Sequence, residues 1–274
     1  MSNEAWADAM AARRLSGYHP AHVATVRDDT FTRSHGDAMT ALRAILFDHD
    51  GTLVDSEPIH HAMWQGVLAD YGVHLDDETY KRWYAGVSTV NNAIDLVARF
   101  AIAEAHETLA RQKAQVTDAF LSHSAFPLMP GVLEALARFR AAGLRFGIVT
   151  GAGPTGVRAT LREHALNGVF ETVVCGDEVP HSKPAPDAYL LALARLNLSA
   201  GECVAIEDTE HGVHAATAAG IACVAVPNAM SARHDFSRAS AVCGNLAEAV
   251  AWVGERYGGG LSPARPVPDP ASVR

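Results

Sequence analysis

The chain has 274 residues, 49% of them hydrophobic and 19% charged, with a formal net charge of −9. That is the make-up of a globular protein with a sizeable core, and an acidic chain without a block of Lys or Arg argues against nucleic acid as a partner. No apolar run reaches the roughly 18 residues of a membrane helix, and Cys175, Cys203, Cys223 and Cys243 form no Cys-x-x-Cys pair, so they read as buried free thiols.

Residues 1–41 are polar and mixed, carry no recognisable chemistry, and read as a poorly ordered N-terminal extension. They lack a basic head followed by an apolar core, so a cytoplasmic location is expected. The short apolar run Ala44-Ile45-Leu46-Phe47 then reads as a buried strand. It ends abruptly in Asp48-His49-Asp50-Gly51. Residues two apart in a strand face the same side, which aims Asp48 and Asp50 at one site. Two anions held that close repel unless a cation or a proton intervenes. Gly51 permits a tight turn and a close approach to a ligand.

Residues 57–127 read as a helical insert. Pro58 suits a first helical turn, and Ile59, Met63, Val67 and Leu68 follow at helical spacing. Asp76-Asp77-Glu78 marks a second helix start, and further helices are expected over 92–100 and 103–121. After Pro130-Gly131 helices and strands alternate: helix 132–142, strand 144–150, helix 154–164, strand 170–175, helix 186–196, strand 203–206, helix 211–219, strands 222–226 and 239–243, and helix 246–257. Such alternation predicts an α/β fold with a parallel sheet covered by helices, and a ligand site outside the carboxyl ends of the strands. Gly258-Gly259-Gly260 and the prolines after them predict a flexible tail over 258–274.

The segment Asp48-His49-Asp50-Gly51-Thr52-Leu53-Val54-Asp55-Ser56 resembles the first signature of the haloacid dehalogenase superfamily in its phosphatase form. Three further signatures of that superfamily follow in order: a strand ending in Thr150, Lys183 in Ser182-Lys183-Pro184, and the acidic pair Glu207-Asp208. The resemblance covers residues 42–256. It points to the branch with a small helical cap, which includes phosphoglycolate phosphatase-like and β-phosphoglucomutase-like enzymes. It implies a Rossmann-like catalytic core over 42–56 and 128–257, with a helical cap domain over 57–127.

The resemblance also implies a mechanism. Asp48 is the nucleophile and becomes an aspartyl phosphate, splitting one hard step into two. Asp50 protonates the leaving alkoxide and then takes a proton from water. Mg²⁺ is held by Asp48, Asp50 (through its carbonyl) and Asp208, with Glu207 acting through a bound water or a neighbouring hydrogen bond; an all-oxygen set suits that hard cation. Thr150 and Lys183 hold phosphoryl oxygens. Gly151 stands where the family often has Asn or Ser and offers a backbone N–H instead. Thr209 replaces a common Ser.

Substrate contacts are expected from His60, Ser88 and Thr89. His60 matches a His that helps position the acid in β-phosphoglucomutase-like members. Thr89 stands where mutase-like members carry an Arg, which tilts the reading from mutase toward phosphatase. Lys81 and Lys113 lie in no motif of a Schiff-base lysine. The expected substrate is a small phosphorylated metabolite, of sugar phosphate or phosphoglycolate type. The chain is expected to act as a monomer or homodimer.

Overall fold

A computed structural model describes residues 41–258; the expectations for residues 1–40 and 259–274 lie outside the described residues. In chain order these form β1 (Ala44–Phe47), four successive helices α1 (Glu57–Ala69), α2 (Asp77–Trp83), α3 (Thr89–Phe100) and α4 (His106–His123), then α5 (Val132–Ala141), β2 (Arg145–Val149), α6 (Pro154–Glu163), β3 (Thr172–Val174), α7 (Asp187–Leu196), β4 (Cys203–Glu207), α8 (Glu210–Ala218), β5 (Ala222–Ala225), β6 (Ala241–Val242) and α9 (Leu246–Tyr257). The strands make one sheet in the order β3-β2-β1-β4-β5-β6, parallel throughout. The expected α/β, Rossmann-like architecture is therefore present.

β1 lies in the middle of the sheet, buried on both faces. Its alternation splits the core into two layers. Ile45 and Phe47 join Phe146, Ile148, Val204 and Ile206 against α5 and α9, through Val132, Leu136, Phe139, Val250 and Val253. Ala44 and Leu46 face the other way, with Ala205 and Cys223, toward Ala188 and Ala192 of α7 and Ala215 and Ala216 of α8. Small residues on that second face let the two helices lie close to the strands. All four cysteines are free and buried, as their apolar settings predict.

The central strands and α9 match the sequence expectation within a residue or two. The edge strands β3 and β6 come out shorter than expected, because each pairs on one side only. Helix α3 begins three residues before its expected start. Ser88 caps it by accepting a hydrogen bond from the Asn91 N–H at 3.3 Å.

Helices α1–α4 build a core of their own around Trp64, Leu68, Tyr80, Tyr84, Leu96 and Leu109. The chain enters and leaves this insert through two segments lying side by side. The Asp55 N–H donates to the Pro127 carbonyl at 2.8 Å, and the Met129 N–H to the Leu53 carbonyl at 2.9 Å. No described helix is long and apolar enough to cross a membrane.

Candidate active site

The site forms where β1, β2 and β4 end. β1 stops at Phe47, so strand alternation does not place Asp48 and Asp50 side by side, contrary to the sequence expectation. A tight turn does. Asp48 still donates its N–H to the Ile206 carbonyl at 3.0 Å, holding it against β4. The His49 carbonyl then accepts from the N–H groups of Leu53 at 2.9 Å and Val54 at 3.0 Å, and the Gly51 N–H closes onto the Val54 carbonyl at 2.8 Å. Gly51 has φ of +87°, and a Cβ there would lie 2.2 Å from Asp208 Oδ2. Glycine is required on both counts.

Asp48, Glu207 and Asp208 are all buried, and each offers a carboxylate oxygen within 4.8 Å of the others. Lys183 faces them. Its Nζ donates to Asp48 Oδ1 at 2.5 Å, Glu207 Oε1 at 2.6 Å and the Val149 carbonyl at 2.9 Å. The Tyr189 hydroxyl donates to the same Glu207 Oε1 at 2.6 Å, and the Asn228 amide to Asp208 Oδ2 at 2.8 Å. Glu207 Oε2 and Asp208 Oδ1 are buried without a hydrogen-bond partner.

Three carboxylates against one ammonium leave negative charge uncompensated. Burial accordingly pushes the Asp48 carboxyl up, even beside Lys183. Burial, with the charges of Asp48 and Glu207, pushes Asp208 well up. Glu207 is raised for the same first reason, with Lys183 opposing. Burial acts against the Lys183 ammonium, but Asp48 and Glu207 outweigh it and hold its pKa above the ordinary lysine value. The arrangement fits a cation: orphaned carboxylate oxygens, oxygen-only donors and a deficit of positive charge.

Asp50 has a different setting. Burial favours its neutral form, but His49, the Ser56 hydroxyl and His60 outweigh burial and hold the carboxyl down at about 2. His49 Nδ1 lies 3.1 Å from Asp50 Oδ2. His60 sits behind this turn, its ring edge-on to Phe126, with Nδ1 3.1 Å from the Nζ of buried Lys113. Burial and the Lys113 charge push His60 down to about 4, against the pull of Asp50. Burial pushes Lys113 down to about 8, opposed by Glu57.

Thr150 follows β2 and is buried, its N–H donating to the Val174 carbonyl at 2.9 Å. Its Oγ1 accepts from the Ala152 N–H at 3.0 Å, so its own O–H remains available to donate. Gly151 is exposed beside it, and its carbonyl packs so closely on Gly176 that a Cβ there would lie 2.2 Å from it. Thr209 keeps its hydroxyl in use as the cap of α8, accepting from the Gly212 N–H at 3.1 Å. The structure thus joins Asp48, Lys183, Glu207 and Asp208 by hydrogen bonds or close approach, sets Asp50 near enough for its charge to raise Asp48, and puts Thr150 directly after Val149, whose carbonyl accepts from Lys183. Ser88 and Thr89, at the start of α3, make no hydrogen bond or ion pair with that group; the Ser88 hydroxyl serves as a helix cap.

Sequence reasoning missed several residues of the site. Asn228 had a usable signal, since it lies in the loop just past the end of β5, the neighbour of the strand that Asp208 follows. His49 lay in plain sight between two acids. Tyr189 and Lys113 had none: each sits inside a helix, where a lone polar residue usually faces water.

A family model of haloacid dehalogenase-like hydrolases matches residues 42–220. The plasmid-encoded protein CbbY of Cupriavidus necator is 32% identical over 224 residues, spanning 76% of this chain and 87% of that protein. The fructose-1-phosphate phosphatase YqaB of Escherichia coli is 32% identical over 189 residues, spanning 66% of this chain and 95% of YqaB. Among solved structures, CbbY from Rhodobacter sphaeroides in complex with xylulose-(1,5)bisphosphate superposes with a TM-score of 0.63 at 28% identity, covering 76% of this chain and 96% of that one. The matched span is well over half of the chain and contains every residue of the acidic cluster, so this protein belongs to the haloacid dehalogenase-like hydrolases.

Proposed function

We propose that the protein is a Mg²⁺-dependent phosphatase of small phosphorylated metabolites, of sugar phosphate or phosphoglycolate type, working through an aspartyl phosphate on Asp48. The observation that supports it most is the buried trio Asp48, Glu207 and Asp208 facing the single ammonium of Lys183. Mg²⁺ would be held by Asp48, Asp208 and the Asp50 carbonyl, and when bound it would supply the positive charge that lets an anionic carboxylate meet an anionic phosphate.

The residues divide the chemistry. An Asp48 carboxylate oxygen attacks phosphorus, and the bond from phosphorus to the substrate oxygen breaks. Asp50 gives its proton to that oxygen. Water then attacks the aspartyl phosphate while Asp50 takes its proton, releasing inorganic phosphate and restoring Asp48. The resting Asp50, held ionised, is in the form that accepts a proton from water; before acting as the acid it takes a proton from solvent, to which its side chain is partly open. Lys183 orients Asp48 and, with the Thr150 hydroxyl and the Gly151 N–H, meets phosphoryl oxygens. Helices α1–α4 act as the cap over 57–127 on the core over 42–56 and 128–257, hinged at the paired segments around Leu53–Asp55 and Pro127–Met129. Substrate choice is assigned to that cap, through His60 and the Ser88–Thr89 end of α3.

The test is phosphate release over a panel of phosphorylated metabolites, with Mg²⁺ or with chelator, for the wild type and Asp48→Asn. Release that requires both Mg²⁺ and Asp48 is expected. Release that survives Asp48→Asn sinks the aspartyl-phosphate route. Isomerisation of a sugar phosphate without net phosphate release assigns the site to a mutase instead.

A further inference from the structure

His49 occupies the position between the two acids of the turn, and it is almost entirely enclosed, at 1% exposure. Its ring makes two polar contacts. Nδ1 lies 3.1 Å from Asp50 Oδ2, and Nε2 lies 3.0 Å from the hydroxyl of Thr160 on α6. Thr160 is fully buried, and His49 is the one partner its hydroxyl has among the described residues. An ionised carboxylate accepts hydrogen bonds and donates none. The Asp50 contact therefore requires the proton on Nδ1. Nε2 pairs with the buried Thr160 hydroxyl, accepting from it in the neutral ring and donating to it in the imidazolium. Either way His49 N–H donates to Asp50, and Thr160 anchors the far side of the ring.

The Asp50 side chain keeps 33% of its surface accessible, whereas His49 keeps 1%. The imidazole thus sits behind the carboxylate, on the side away from solvent. We propose that His49 is a positioning residue: anchored on Thr160, it holds Asp50 through Oδ2 and so fixes the direction in which Asp50 exchanges its proton. This deepens the phosphatase reading and rests on it. Besides the like charges of Asp48 and Glu57, the Ser56 hydroxyl and, at longer range, His60 act on Asp50. Neither engages α6, so the anchoring through Thr160 belongs to His49 alone among the three.

The experiment compares wild type, His49→Leu, His49→Asn and Thr160→Val by kcat, KM and pH profile on the best substrate of the panel, together with histidine ¹⁵N NMR on the full chain. Loss of a hydrogen bond to a charged group predicts a fall of roughly 10- to 100-fold in kcat for His49→Leu, with KM changed by no more than about twofold. The acid side of its kcat profile should move as well. His49→Asn presents an amide N–H near the place of Nδ1 and should recover most of the rate, and Thr160→Val should fall between. In the NMR spectra, the resonances removed by His49→Asn should report an imidazole protonated on Nδ1.

An unchanged kcat and profile in His49→Leu overturns the proposal, and so does a loss confined to KM. If His49→Leu does not fold, a Thr160→Val protein with full rate overturns it equally. A bare Nδ1 on His49 overturns it without any assay of activity. A wild type that hydrolyses nothing on the panel overturns the phosphatase reading itself, and the tautomer then separates that failure from a failure of the His49 geometry.

Discussion

Replacing Asp208 by Asn should stabilise the metal-free protein and destroy its response to Mg²⁺. Asp208 is 4% exposed; its Oδ2 accepts from the Asn228 amide at 2.8 Å, while Oδ1 has no partner. An Asn side chain keeps the acceptor for Asn228. It also turns an NH₂ toward the carboxylates of Asp48 and Glu207, where an orphaned anion stood. Relieving one buried unsatisfied charged oxygen contributes about 2 kcal/mol, which for a protein of this size raises Tm by roughly 4–8 °C. In the wild type, Mg²⁺ at about 100 times its Kd adds about 2.7 kcal/mol; the variant should gain almost nothing.

The order of the two melting temperatures should therefore reverse between chelator and Mg²⁺. The sign with pH follows from the raised Asp208 carboxyl. Its folded pKa lies above the unfolded value, so the wild type keeps this contribution below the unfolded value of 3.8 and loses it as pH rises through the folded one. The advantage of Asp208→Asn in chelator should be absent near that lower limit and widen as the pH is raised. Differential scanning calorimetry with and without Mg²⁺ reads all of this. A variant less stable than wild type in chelator, or one that gains as much from Mg²⁺, refutes the reasoning.

Gly51→Ala should lose both stability and activity. A left-handed φ costs an L-residue about 1–2 kcal/mol, and the new Cβ would meet Asp208 Oδ2 at 2.2 Å; a protein with wild-type Tm and rate would show that the turn is looser than described. Tyr189→Phe removes the hydroxyl that donates to Glu207 Oε1 at 2.6 Å and should lower Tm in chelator by an amount matching about 2 kcal/mol, read by thermal melts. Asn228→Ala frees Asp208 Oδ2 from its orienting amide and should weaken Mg²⁺ activation by about 10- to 100-fold, measured as the Mg²⁺ concentration for half-maximal rate. An unchanged Mg²⁺ requirement would remove Asn228 from the site.

Much of this protein was legible in the order of its residues. The apolar run 44–47, ended by two acids and a glycine, marks both the central strand and the site. The alternation of strands and helices sets the sheet, because side-chain period reports which faces are buried. Lys183 and the pair Glu207-Asp208 were recognisable from their motifs, although they lie far apart along the chain. The turn at Gly51, the cysteines as buried thiols and the helical insert followed from local chemistry. Tertiary structure decided the remainder. It replaced strand alternation by a turn as the reason Asp48 and Asp50 share a site. It put Tyr189 on Glu207 and Asn228 on Asp208, and it left Ser88 and Thr89 bound up in their own helix start. It also brought His49 to Thr160, 111 positions away. Local sequence sets which groups a segment carries and how its backbone runs. Which buried polar atom finds which partner depends on how the helices pack over the sheet, and that is a property of the whole fold.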